Sequence, residues 1–106
     1  ENILIVGYGK SGVKSSELAK RLGATVFVYD DNKDVEVNKE VVDKIYNNIE
    51  DIDFSNINIT VLSPGVPLES DIAQKSIKSG VETIGEIEFG FRYSYRNNTC
   101  NNRNKW

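Results

Sequence analysis

Asn2-Ile3-Leu4-Ile5-Val6-Gly7-Tyr8-Gly9-Lys10-Ser11-Gly12 is the stretch on which the reading of this chain turns. Five residues without a charge, four of them aliphatic, stop abruptly at glycine, the pattern of a strand buried on both faces. Lys10–Leu22 follows with Val13, Leu18, Ala19 and Leu22 at helical spacing, and Gly23 stands where a helix C-cap belongs. Thr25–Tyr29 is β-branched and aromatic, a second strand that ends at Asp30-Asp31. Strand, helix and strand make one βαβ unit of about 30 residues.

The turn inside that unit, Gly7-Tyr8-Gly9-Lys10-Ser11-Gly12, fits G-x-G-x-x-G between a strand and a helix. The first glycine permits a tight turn, the second lets a diphosphate approach the backbone, and the third brings helix against strand. The helix N-terminus then offers unpaired N–H donors and the positive end of its dipole. Ser11 adds a hydroxyl donor. Lys10 reads equally as a phosphate contact or as a solvated side chain. Asp30 stands 18 positions after Gly12, near the spacing of an acid that reads a nucleoside. Asp31 beside it disfavours a 2′-phosphate and so NADP; its alternative is a solvated loop acid.

Beyond Asp31 the pattern is fainter. Val37, Val41, Val42 and Ile45 suggest an amphipathic helix, with a short strand near Lys44–Tyr46. Ile57–Leu62 reads as a strand that breaks at Ser63-Pro64-Gly65, at the edge where open α/β sheets bind ligands. A rigid turn there presents N–H groups and a serine hydroxyl to a ligand, although a plain turn looks the same. Ser70–Ser79 places Ile72, Ala73 and Ile77 on one helical face, with Ser70 as N-cap and Gly80 as stop. Val81–Ile84 is the next strand and Glu86–Tyr93 a further helix. Glu86 and Glu88, two apart, point to different sides of a helix and read as one capping and one solvated acid. The alternation predicts an α/β fold: a single Rossmann-like domain, its open parallel sheet covered by helices on both faces.

Composition narrows the function. The 106 residues are 39% hydrophobic and 27% charged, enough for one globular domain. A net charge of −3 argues against nucleic acid, which selects a basic face, and leaves any phosphate to backbone N–H groups. No apolar run approaches the ~18 residues of a membrane span, and no signal sequence is visible. The chain opens at Glu1 rather than Met, so upstream residues are expected to have been lost. One cysteine, Cys100, excludes an internal disulfide and fits a reducing, cytoplasmic setting. No histidine and a single cysteine argue against a transition-metal site, and the lack of histidine removes the commonest general base. Asp31, Asp34 and Glu36 form a solvated acidic loop rather than a metal site.

Together these segments resemble the N-terminal domain of the UDP-N-acetylmuramoyl-L-alanine:D-glutamate ligases, the MurD-type enzymes of peptidoglycan synthesis. The likeness rests on Ile5–Gly12, on Val28-Tyr29-Asp30, on Leu62-Ser63-Pro64-Gly65-Val66, and on Ile84-Gly85-Glu86-Ile87-Glu88-Phe89. It covers roughly Ile3 to Arg92, in the family's order and spacing. The resemblance implies a domain, residues 1–94, that holds the UDP end of UDP-N-acetylmuramoyl-L-alanine. Gly7, Gly9, Lys10, Ser11 and Gly12 would form the phosphate loop, Asp30 and Asp31 would lie near the uracil, and Ser63, Pro64 and Gly65 would complete the site. The family often continues its aspartate with Ser or Thr and a base; Asp31-Asn32 stands here instead. ATP and magnesium belong to a central domain with a G-T-N-G-K-[ST] loop, so no cofactor and no catalytic residue is assigned to this chain. The parent would act in cell-wall growth, cell shape and division, and this chain without its central and C-terminal domains would be inactive.

Residues 95–106 change character: Arg96–Trp106 has five asparagines and no aliphatic side chain, as a disordered tail would. Its codons can be chosen so that, read one base later, they spell Glu-Ile-Ile-Leu-Ala-Ile-Thr-Gly-Thr-Asn-Gly, the start of the missing loop. A frameshift near residue 95 is therefore expected. Two other readings stay open: an NAD-binding domain of a dehydrogenase or regulatory module, and a ligand-free interaction domain.

Overall fold

The computed structural model describes residues 1–93, so the expectation for the tail lies outside the described residues. Five parallel strands form one sheet: β1 (Asn2–Val6), β2 (Thr25–Tyr29), β3 (Lys44–Tyr46), β4 (Ile59–Leu62) and β5 (Glu82–Gly85). Their order is β3-β2-β1-β4-β5. The chain thus builds outward from β1 to one side, then returns to build on the other. Between β1 and β4 lies the switch point, whose carboxyl edge is where such sheets form a crevice.

Strand alternation sorts the core into two faces. Ile3, Ile5, Val26, Val28 and Val61 pack against Leu18 and Ala19 of α1 (Lys10–Arg21) and against Phe89. Phe89 belongs to α3, residues 86–93. Leu4, Val6 and Leu62 point to the opposite face, against Ile72 and Ala73 of α2 (Asp71–Lys78) and against Ile52, Phe54 and Ile57. The predicted α/β sandwich of a parallel sheet between helices is the one observed.

Three local expectations are corrected. No helix spans Val37 to Ile45; the segment between β2 and β3 is a loop with two turns, one closed by the Val35 N–H on the Asn32 carbonyl and one where the Val41 and Val42 N–H groups meet the Asn38 carbonyl. Asparagine side chains compete with helix here: Asn32 Oδ1 accepts from Asp34 N–H and Asn38 Oδ1 from Glu40 N–H. The strand expected from Ile57 begins at Ile59, because Ile57 closes a 3₁₀ turn (Phe54–Asn56) and Asn58 instead pairs with Asn2. Ile77, expected on the apolar face of α2, is 43% exposed, and Ser76 takes the buried place. Its hydroxyl meets Thr60 Oγ1 at 2.7 Å and Thr83 Oγ1 at 2.8 Å, linking α2 to β4 and β5.

Candidate functional site

Both α1 and α2 start at the carboxyl edge of the sheet, yet their N-termini differ. At α2, Ser70 Oγ accepts from Ala73 N–H and Asp71 adds a negative charge to the first turn. At α1 the N-cap is Gly9, with no side-chain cap and no acid in the first turn. The N–H groups of Lys10, Ser11 and Gly12 therefore lack the intrahelical partners that later turns have. Lys10 is exposed and Ser11 half-buried beside them.

Glycine is required at two of the three loop positions by the fold itself. Gly7 has φ of +90°, and a Cβ there would lie 2.9 Å from Ser63 Oγ. A Cβ on Gly12 would lie 2.0 Å from the Gly7 carbonyl oxygen, so α1 reaches β1 only without a side chain. Gly9 has ordinary torsions, φ of −87°, and a Cβ there would meet nothing within 4 Å. The space above Gly9 is open.

The loop is tied to both neighbouring strands. Tyr8 N–H donates to Asp30 Oδ2 at 3.0 Å, and Asp30 Oδ1 accepts from Asn32 N–H at 2.9 Å. Ser63 Oγ donates towards the carbonyls of Val6 at 2.7 Å and Gly7 at 2.9 Å. The Tyr8 ring is buried in the α1-side core, and its hydroxyl accepts from Asn38 N–H, which anchors the β2–β3 loop.

Beside this loop, at the switch point, lies a pocket of about 300 Å³. Val6, Ile49, Val66 and Ile72 give it an apolar lining, and Gly7, Gly65 and Pro67 narrow it. Asp30, Asp31, Ser70 and Asp71 supply its polar groups. Burial first, then the charges of Asp31 and Asp30, push the phenol of Tyr29 above its ordinary range.

The structure divides the residues singled out from sequence. Gly7, Asp30, Asp31 and Gly65 line the pocket; Gly9, Lys10, Ser11 and Gly12 form the helix mouth next to it. Ser63 and Pro64 line a neighbouring groove of about 360 Å³ with Glu86 and Ile87. Of the two acids read as one capping and one solvated, Glu88 is exposed and pairs with Arg92 at 2.7 Å. Glu86 is half-buried, and its Oε2 is buried without a hydrogen-bond partner. Ser70, Asp71 and Ile49 were missed as pocket residues. The signal for the first two was the N-cap at Ser70, since a helix following a parallel strand must start at the same edge as Gly9. Among the described residues no group of three metal-ligating side chains gathers, and no helix is long and apolar enough to cross a membrane.

Comparison with known proteins bears on the fold and the family. The UDP-N-acetylmuramoylalanine–D-glutamate ligase of Caldicellulosiruptor saccharolyticus is 34% identical over 101 residues, 88% of this chain and 22% of the ligase. That of Trichodesmium erythraeum is 34% identical over 96 residues, 84% of this chain and 21% of the ligase. The chain thus spans about a fifth of the length of these curated relatives. The crystal structure of a murein peptide ligase from Psychrobacter arcticus shares the fold with a TM-score of 0.67 at 18% identity, covering 86% of this chain and 20% of that one. The model of the Mur ligase MurD-like N-terminal domain matches residues 1–85. The chain belongs to that family, the MurD-like N-terminal domains of the Mur ligases.

Proposed function

We propose that this domain binds the UDP end of UDP-N-acetylmuramoyl-L-alanine, with the diphosphate at the start of α1 and the nucleoside in the switch-point pocket. The observation that carries the reading is the contrast between the two helix starts. The start of α2 is capped and carries Asp71, whereas that of α1 is bare below open space at Gly9. An anion is drawn to the bare start and repelled from the acid-rimmed pocket. A neutral ring with hydroxyl and N–H donors suits the pocket's apolar lining and carboxylates. Gly9 supports the same reading, because neither torsion nor crowding demands glycine there. A phosphate resting on the backbone does.

The parent activity we infer is ATP-dependent amide formation between that substrate and D-glutamate, in the cytoplasm, during peptidoglycan synthesis. ATP and magnesium are placed outside this chain. Its glycine turn continues Gly12-Val13, without the Lys-Ser or Lys-Thr that ends an ATP phosphate loop. Residues 1–94 would bind and position, and the acyl-phosphate chemistry would need the remaining domains. Titrating the chain by calorimetry with UDP and with NAD tests the reading. Heat of binding for UDP and none for NAD is expected. Binding of NAD with no response to UDP would replace it with a dinucleotide domain.

A further inference from the structure

Gly7 and Tyr8 share one peptide unit, and side chains from opposite sides hold both of its polar atoms. The Gly7 carbonyl accepts from Ser63 Oγ at 2.9 Å, and the Tyr8 N–H donates to Asp30 Oδ2 at 3.0 Å. Ser63 follows β4 and Asp30 follows β2, the two strands that flank β1. In a trans peptide the C=O and N–H point in opposite directions, so neighbouring strands grip one plane from its two edges.

This is the peptide that most needs gripping. Gly7 sits at φ of +90°, and glycine alone crosses between its backbone wells at little cost. Gly7 oxygen also packs against Gly12, where even a methyl group would approach to 2.0 Å. Rotation of the plane would turn the carbonyl away from Ser63 towards the Asp30 carboxylate, acceptor against acceptor. It would also disturb the contact that seats the first turn of α1. The direction of the Lys10, Ser11 and Gly12 N–H groups follows from that seat.

We infer that Ser63 and Asp30 are positioning residues that lock the Gly7–Tyr8 peptide, and that Ser63 donates no hydrogen bond to the ligand. A serine hydroxyl has one proton, and here it serves two carbonyls, Val6 at 2.7 Å and Gly7 at 2.9 Å. An ionised diphosphate only accepts hydrogen bonds, so Ser63 reaches it solely by releasing the loop. The inference rests on the reading that the diphosphate lies at the start of α1. The lock itself exists without ligand and is tested without it.

Two measurements on the 106-residue chain decide the matter: amide hydrogen exchange at Tyr8 without ligand, and calorimetric titration with UDP and with uridine. Ser63→Ala is expected to speed Tyr8 exchange about fivefold or more, although Ser63 makes no hydrogen bond to the Tyr8 N–H itself. It should weaken UDP by a similar factor and leave uridine binding unchanged. Ser63→Ala with Asp30→Asn should weaken UDP by less than the product of the single effects, because one peptide is freed only once. Unchanged Tyr8 exchange with weakened UDP would overturn the lock and make Ser63 a ligand contact. Unchanged exchange and unchanged UDP affinity would remove any role. Should Ser63→Ala fail to fold, Asp30→Asn gives the reciprocal reading: its Gly7 carbonyl-carbon resonance must shift, and an unmoved resonance refutes the lock. Absence of UDP binding by the unaltered chain would refute the nucleotide reading instead, with the exchange result still standing.

Discussion

Replacing Gly9 by valine separates binding from folding more cleanly than any other change in the loop. A Cβ at Gly9 meets nothing within 4 Å, and φ of −87° suits any residue. The cost to stability is that of a poorer N-cap, about 1 kcal/mol. Binding suffers far more, because the new side chain fills the space through which a phosphate reaches the first turn of α1. Losing two charge-assisted hydrogen bonds of about 1.5 kcal/mol each gives about 3 kcal/mol, or roughly a hundredfold in Kd. The assay pairs a melting curve with a UDP titration. The expected result is a shift of a few degrees in Tm, about 4–8 °C per kcal/mol for a domain this size, and a near-complete loss of affinity. Valine tolerated with full UDP affinity would refute the argument that the open space at Gly9 belongs to the ligand.

Three further expectations follow from the packing. Gly12→Ala puts a methyl group 2.0 Å from the Gly7 oxygen, so it should lose about 3 kcal/mol or more and melt well below the parent in a thermal scan. Ser76→Ala strips the hydroxyl shared by Thr60 and Thr83 and should cost about 1–3 kcal/mol in a denaturant titration, without altering UDP affinity once folded. The Val26 N–H holds the Asp43 carboxyl below its ordinary range, opposed in part by desolvation and helped by Lys20. A lowered folded pKa stabilises the protein above the unfolded value near ~3.9, and that gain is lost as pH falls through the folded value. Asp43→Asn should therefore flatten the acid limb of a stability–pH curve while lowering stability at neutral pH.

Much of this was readable in the chain because the dominant signals were local. The aliphatic run at Ile3–Val6 and the β-branched Thr25–Tyr29 have no competing pattern, and both strands fall where the residues put them. Gly23 and Gly80 take positive φ just past the two helices that they were expected to end. The β2–β3 crossover departs from the expectation because valines at 37, 41 and 42 have helical spacing while Asn32 before them and Asn38 among them prefer local turns. Valine spacing alone does not reveal which wins. Ile77 failed for a different reason: the buried position went to Ser76, whose hydroxyl has partners on two strands distant in sequence. Within the site, the glycines and Asp30 were legible from a motif with defined backbone demands. The bond from the Tyr8 N–H to Asp30, and the use of the Ser63 proton for two carbonyls, depend on strand order and were not. Pocket residues such as Ile49 and Asp71 come together only once the strand order switches to the other side of β1 at β4.

The most direct test is a crystal structure of the chain soaked with UDP. The diphosphate oxygens should lie about 3 Å from the N–H groups at the start of α1, with the nucleoside between Asp31 and Asp71. A diphosphate found elsewhere, or a helix mouth left empty at saturating UDP, would contradict the account at its root.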